Sequence, residues 1–526
     1  MSTQSATTSS LHATGVKHGE TTQYRGIQYA TLDNAFSEPQ IRAYPYGNHV
    51  NATAFGPSAV SLPNACAMEQ GLIQHTLPHK PFDTSETECL NLNITIPATA
   101  PVKDGLPVFV FFHGGGFMMG SNAWPQYDLR RIVGESVVLK KPIIAVGVNY
   151  RLGPAGFLTS QELRDAGYKA NNGLRDQRTA LLWVQRYIHV FGGDPARVTV
   201  VGESAGGVSC FLHLQSPEPL FTQLVSMSGN PLTMKPIPLA VAESAYTSIV
   251  HSLGLAEMTT EERVKAILGT PLKRLAPLGT SLPLIPTLDG EVLVSGLSYE
   301  NLIDDLTKWP GTQWCRSLMI GDCQFDGSIM TYQLIRHKAQ IAQIFKQAAT
   351  AALKNHPSLV ETIPSTYGTS SAATSDAAFK GVLDFATDIL FYASTMKLAQ
   401  SWPGAAYVYH FNERKPWDGP YKGEATHILD IAFLFQNYNE YLSDEQRATA
   451  KAFAGHLITF VHGEEPYEGY DANRGGAMVY GPPVQAPGFV IGLDAGLYGR
   501  RREIFDIAGY AGLDAVARVL DEVMAR

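Results

Sequence analysis

Val198-Thr199-Val200-Val201 runs directly into Gly202-Glu203-Ser204-Ala205-Gly206, and the mostly apolar stretch from Ala205 to Leu214 follows at once. An apolar, β-branched run reads as a buried strand, and a helix starting immediately after it leaves room only for a very tight turn. In such a turn, side chains two residues either side of the apex would collide. Glycine at 202 and 206 removes that collision. Ser204 is then lifted above the sheet edge. A serine hydroxyl is a poor nucleophile at neutral pH and needs exposure, a base and donors for a developing oxyanion. The pentapeptide alone arises by chance in many chains. The strand before it and the helix after it make Ser204 the candidate nucleophile, against the blander reading of a glycine-rich turn with an incidental serine.

The rest of the chain supplies the sheet that such a turn requires. Val108 to Phe112 is a continuous apolar run ended by Gly114-Gly115-Gly116, and Pro142 to Tyr150, Leu224 to Met227, Arg316 to Ile320 and Ala405 to Phe411 also read as strands. Asn172 to Val190 is helical by period, with Leu174, Ala180, Leu181, Val184 and Ile188 near one face. Thr259 with Glu262 and Ser443 with Gln446 have the spacing of capping boxes that open helices. Strands alternating with helices predict an α/β chain with a large, mostly parallel central sheet covered on both faces. Residues 235–400 or so read as helical insertions, and Ser365 to Ser375 as the most loop-like stretch. No repeat or long linker divides the chain. One domain over 19–526 is expected, behind a polar, flexible tail at 1–18.

Composition narrows the partners. Lys and Arg total 40 against 48 Asp and Glu, a net charge of −8, so the clustered positive charge that nucleic acids require is not expected. The N-terminus has no basic start and apolar run, and no apolar stretch is long enough to span a bilayer, so a cytoplasmic location is expected. Five cysteines, an odd and sparse set, do not make a disulfide scaffold. No CxxC pair or HExxH helix is present, so neither a metal nor another cofactor is expected.

His113-Gly114-Gly115-Gly116-Phe117 closes an apolar strand upstream of the serine. Glycines let backbone N–H groups approach a reacting carbonyl closely. The N–H groups of Gly115, Gly116 and Ala205 are the candidate oxyanion donors, each worth on the order of 3 kcal/mol in the transition state. His113 lies on that side of the site and reads as a loop-stabilising residue rather than a base.

Several strings now point one way. Asn172-Gly173-Leu174-Arg175-Asp176-Gln177, Phe191-Gly192-Gly193-Asp194-Pro195 and Gly202-Glu203-Ser204-Ala205-Gly206-Gly207 stand in series, with Asn149-Tyr150-Arg151-Leu152-Gly153 and Glu88-Cys89-Leu90-Asn91-Leu92-Asn93 before them. The chain resembles the type-B carboxylesterase family, which includes the cholinesterases, and in style its fungal-type members. The resemblance covers about residues 20–465, densely in the first half. It implies the α/β-hydrolase fold and the chain order serine, acid, histidine.

The loop after the Arg316–Ile320 strand offers Asp322 and Asp326. The family places its acid directly before a Gly-Ser pair, and Asp326-Gly327-Ser328 matches that slot, although the family usually has Glu there. The family's histidine precedes an apolar run, as His427 precedes Ile428 to Phe435; His410 and His462 are its rivals. The resemblance thus implies a Ser204, Asp326, His427 triad. Ser228, in a Ser-Gly-Asn string resembling the family's Ser-Gly-Ser, is implied to support the acid, and Glu203 to stand behind the nucleophile. Cys66 and Cys89 fall where the family closes its first disulfide loop, which a reducing cytoplasm leaves open. Phe117, Phe325 and Phe435 are candidates both for pocket lining and for core. An ester hydrolase acting on small, uncharged or apolar esters is the expectation. An acyltransferase, amidase or thioesterase would use the same triad, and a non-catalytic binding module would be expected to have lost part of it.

Overall fold

Alternation along the central strands sends apolar side chains to two opposite faces, and both are covered. In Leu106–Phe112, Val108, Val110 and Phe112 enter one buried cluster and Phe109 and Phe111 the other. Ser317–Cys323 divides in the same way, with Leu318 and Ile320 on one side and Met319 and Cys323 on the opposite side. A strand buried on both faces reads as a near-continuous apolar run, and the one charged residue within these two strands, Asp322, is buried with its charge paired.

The computed structural model describes residues 3–7, 11–45, 47–99, 105–370, 373–492 and 497–526. Its large sheet has 13 strands. Twelve lie on one path: β1 (Thr3–Thr7), β2 (Leu11–His18), β3 (Thr21–Gln28), β4 (Asn91–Pro97), β5 (Leu106–Phe112), β6 (Ile144–Val148), β7 (Gly193–Glu203), β8 (Gln223–Met227), β9 (Ser317–Cys323), β10 (Ala405–Phe411), β11 (Ala477–Tyr480) and β12 (Gly488–Val490). The spatial order is β1-β2-β3-β4-β6-β5-β7-β8-β9-β10-β11-β12, and Asn48–Asn51 pairs beside β2. From β6 to β11 every neighbouring pair is parallel; both ends of the sheet are antiparallel. Parallel strands point their C-terminal ends the same way, so the loops leaving β5, β7, β8 and β9 gather on one rim.

Helices α2 (Asn172–Tyr187) and α3 (Ala205–Leu212) cover one face, while α1 (Ala65–Ile73), α4 (Leu429–Leu434) and α5 (Asp444–Val461) cover the other. Both expected capping boxes form, at Thr259 and at Ser443. Among the described residues no helix is long and apolar enough to cross a membrane.

The expected flexible tail at 1–18 does not hold for its described residues: Thr3–Thr7 is strand and pairs with Leu11–His18, while residues 1–2 and 8–10 lie outside the described residues. Leu11–His18 is strand, with Leu11, Ala13 and Val16 buried, paired to β3. Leu11 and Ala13 alternate with His12 and Thr14, and Gly15 breaks the pattern before Val16. That is enough for a strand whose inner face seals the edge of the core, and too weak a pattern to read from a polar, Ser/Thr-rich stretch.

Candidate active site

Ser204 sits between β7 and α3 with φ 53° and ψ −124°, in a region that non-glycine residues avoid. Such a conformation costs about 1–3 kcal/mol and persists only where its surroundings enforce it. The enforcement is visible. The Ser204 N–H donates to the Met227 carbonyl at 2.8 Å, and its own carbonyl accepts the Val208 N–H at 3.0 Å. A Cβ on Gly202 would stand 2.2 Å from the Gly206 carbonyl carbon, and one on Gly206 would stand 2.0 Å from the Phe112 carbonyl oxygen. The two glycines are therefore obligatory for the turn, as the sequence pattern implied.

Asp326 opens the short helical turn after β9. Its carboxylate accepts three hydrogen bonds: Oδ1 from His427 Nδ1 at 2.7 Å, and Oδ2 from Ser228 Oγ at 2.9 Å and from the Cys323 N–H at 2.7 Å. Burial pushes its carboxyl above the ordinary range, against the opposing pull of His427. The His427 backbone N–H donates to Ser328 Oγ at 3.1 Å, so the Gly-Ser pair after Asp326 also holds the His427 loop. His427 Nε2, the nitrogen facing away from Asp326, lies 3.3 Å from Glu203 Oε1. The residues ending β8 thus touch both partners. Met227 holds Ser204, Ser228 holds Asp326, and a Cβ on Gly229 would stand 2.0 Å from the Ser204 carbonyl oxygen.

Ser204, His427, Gly115, Gly116 and Ala205 line one cavity of about 330 Å³. Gly115 and Gly116 take φ of 89° and 60°, which turns their peptide planes in a way that a side chain would resist. The N–H groups of Gly115, Gly116 and Ala205 have no acceptor among the described residues. His113 is buried beneath this loop, its Nδ1 3.1 Å from the Gly114 carbonyl and its ring 4.5 Å from that of Tyr150; burial holds its pKa down to about 4. It is a neutral prop for the loop.

A family model described as the carboxylesterase family matches residues 9–479. The chain belongs to the carboxylesterase family. Para-nitrobenzyl esterase of Bacillus subtilis (strain 168) is 28% identical over 490 residues, covering 89% of this chain and 91% of that protein. Lipase 3 of Yarrowia lipolytica is 27% identical over 481 residues, covering 86% and 87%. A solved PNB esterase structure superposes with a TM-score of 0.75 at 23% identity over 94% of this chain and 97% of that one, which establishes the α/β-hydrolase fold. This carboxylesterase is accordingly a serine ester hydrolase.

The structure separates the carboxylesterase's rival residues. Asp322 and His410 face each other across the β9–β10 register, 2.7 Å apart, and Arg500 clamps Asp322 through Nη2 at 2.7 Å and Nε at 3.2 Å. This buried ion network lies within the sheet, and neither Asp322 nor His410 lines the cavity. Phe117, Phe325 and Phe435 are core: Phe117 packs on Phe157, Phe325 on Tyr421 and Phe435 on Phe111. The aromatic walls of the cavity are Phe391 and Tyr332 instead. Phe391 stands on a π-helical turn, Thr387–Tyr392, with its ring 5.5 Å from that of His427. A π turn has no simple sequence signature. Cys66 and Cys89 are free thiols, Cys66 on α1 beside Gln70 and Cys89 in the opposite layer.

Sequence reasoning missed Glu69. It lies on α1, is 1% exposed, and lines the cavity with Glu203. Burial pushes its carboxyl up to about 7 and that of Asp430 up to about 7, and pushes Glu203 well above the carboxylate range with the negative charges of Asp430, Glu69 and Asp326 adding to it.

Proposed function

We propose that this chain hydrolyses carboxylic esters through an acyl-enzyme on Ser204, with His427 as the general base and Asp326 as its partner. The observation that carries the reading is the shared cavity: a serine held at the apex of a strained turn, a histidine anchored by a carboxylate, and three uncommitted backbone donors around one space.

The chemistry follows from the positions. Asp326 Oδ1 fixes the His427 proton on Nδ1, leaving Nε2 as the base. Nε2 takes the Ser204 proton as Oγ attacks the ester carbonyl. The oxyanion that forms is met by the N–H groups of Gly115, Gly116 and Ala205. The imidazolium, stabilised by Asp326, returns the proton to the leaving alcohol. Water then repeats the sequence on the acyl-enzyme. Ser228 and the Cys323 N–H keep the acid oriented, and Glu203 contributes from beside Nε2. Leu62, Met68, Leu72, Met118, Met119 and Val208 make the surroundings mostly apolar, which favours uncharged, apolar ester groups. Five buried, unpaired thiols support a reducing, cytoplasmic setting.

The test is hydrolysis of p-nitrophenyl acetate, butyrate and octanoate by wild type and Ser204→Ala, with mass spectrometry after a fluorophosphonate probe. Burst kinetics, an adduct on Ser204 and an inactive variant are expected. Folded wild type that neither turns over nor takes the probe would refute the reading.

A further inference from the structure

The turn that carries Asp326 leans on a residue from a distant part of the chain. Gly327, between Asp326 and Ser328, donates its N–H to Thr387 Oγ1 at 2.9 Å. Thr387 is 1% exposed and opens the π-helical turn Thr387–Tyr392, which follows the helix Ser375–Ala386. Its hydroxyl also donates to the Leu383 carbonyl, four residues back, at 3.0 Å. A carbonyl can only accept, so the hydroxyl hydrogen is committed there. A lone pair of Oγ1 is thereby left for the Gly327 N–H.

The approach is close because Gly327 has no side chain. A Cβ there would stand 2.0 Å from the Leu383 carbonyl oxygen and 2.8 Å from Thr387 Oγ1. The element that supplies Thr387 is itself fixed. Phe385 meets Phe345 and Tyr367 edge to face. Asp388 accepts from the Tyr367 hydroxyl at 2.8 Å and from the Arg501 N–H at 3.1 Å.

The bond to Thr387 bears on both His427 and Asp326. The Gly327 N–H belongs to the peptide that leaves the Asp326 Cα, so holding it fixes the backbone from which the carboxylate is aimed at His427 Nδ1. Ser328 comes next, and its Oγ takes the His427 backbone N–H. Ser228 and the Cys323 N–H restrain the carboxylate at Oδ2; Thr387 restrains the same residue at its backbone end.

We propose that Thr387 is a positioning residue: its hydroxyl, oriented by Leu383, fixes the Asp326-Gly327-Ser328 turn and through it the Asp326–His427 bond. This rests on the reading of Asp326 and His427 as the partners of Ser204. Thr387 is not among the residues that line the cavity, so its effect falls on rate rather than on substrate binding.

The experiment pairs steady-state hydrolysis of p-nitrophenyl butyrate with proton NMR of the full chain. The variants are Thr387→Val, which keeps the shape and loses the hydroxyl, Thr387→Ser, which keeps the hydroxyl, Asp326→Asn, and Asp326→Asn combined with Thr387→Val. Thr387→Val should lower kcat about 10- to 30-fold at unchanged KM, the effect of one lost buried hydrogen bond. Thr387→Ser should stay within about three-fold of wild type, because the bond is kept. In the Asp326→Asn background the imidazole is already misdirected, so the valine change should cost less than about three-fold; residues that act as a unit are not additive. The downfield signal of the His427 Nδ1 proton, held in a short bond to Asp326, should shift or broaden in Thr387→Val and persist in Thr387→Ser. If the valine variant folds poorly, Thr387→Ala takes its place in the same comparison. Four results would each overturn the role: wild-type kcat without the hydroxyl, a serine variant as slow as valine, a full-sized loss on top of Asp326→Asn, or an unmoved Nδ1 proton signal. Wild type that hydrolyses no ester, while its Nδ1 signal still depends on the Thr387 hydroxyl, would overturn the esterase reading alone.

Discussion

Replacing Asp326 by Asn tests the proposed triad at the point where its geometry is most constrained. The Cys323 backbone N–H reaches Oδ2 at 2.7 Å and cannot reverse its polarity, whereas Ser228 Oγ, which shares Oδ2 at 2.9 Å, can rotate. The asparagine must therefore turn its carbonyl oxygen towards Cys323 and its amide nitrogen towards His427. A donor facing Nδ1 at 2.7 Å forces that nitrogen to accept, which moves the imidazole proton to Nε2. The base then presents a proton where it should present a lone pair. A wrong tautomer of this kind lowers kcat by about 10⁴-fold, or about 5.5 kcal/mol of transition-state stabilisation. The side chains are isosteric and Asp326 is buried with a raised pKa, so the variant should fold, with a Tm at or above that of the wild type at pH 8. Steady-state hydrolysis of p-nitrophenyl butyrate measures the effect: kcat should collapse while KM stays near its wild-type value. An Asn variant within ten-fold of wild-type kcat (about 1.4 kcal/mol) would refute the assignment of Asp326.

Gly206→Ala places a Cβ 2.0 Å from the Phe112 carbonyl oxygen, and backbone cannot yield as a side chain can; a loss of more than about 3 kcal/mol and of fluorophosphonate labelling at Ser204 is expected, read by thermal melting and mass spectrometry. Arg500→Met strips Asp322 of its clamp and should cost about 3–5 kcal/mol of stability in urea unfolding, while kcat stays near wild type because that network does not reach the cavity. Burial pushes Asp388 up to about 7, so the unfolded chain releases this proton well before the folded one does, and stability falls as pH rises from about 4 to about 7. Asp388→Asn should therefore raise stability by about 2–4 kcal/mol at pH 8 and change it little at pH 4, as measured by urea melts at both pH values.

The residues legible in the sequence are those whose role is fixed by backbone geometry or by two-sided burial. The turn around Ser204 is written in Gly202 and Gly206, and β5, β8, β9 and β10 in their apolar runs. The choice between Asp326 and Asp322, or between His427 and His410, is not written locally. Asp322 and His410 are strand residues whose pairing depends on the β9–β10 register. Asp326 and His427 lie in loops that meet only because both strands end on the same rim. Strand β2 escaped because its apolar residues are few and interleaved with Thr, His and Gly. Glu69 escaped for a different reason. A helix that buries its acid and leaves Met68 41% exposed reverses the usual amphipathic rule, and only the cavity beneath explains it.

The end of β8 has a mechanical consequence. Met227, Ser228 and Gly229 grip the Ser204 turn with one hand and the Asp326 carboxylate with the other, though none of them is proposed to touch substrate. A twist of the sheet, from heat or from repacking at its distant edges, carries both partners on the same three-residue jig. Their spacing is buffered against such distortion, whereas His427, arriving on a separate loop, is held at second hand, through its side-chain bond to Asp326 and its backbone bond to Ser328. Damage that spares the fold yet detunes the site should therefore surface first as misalignment of His427.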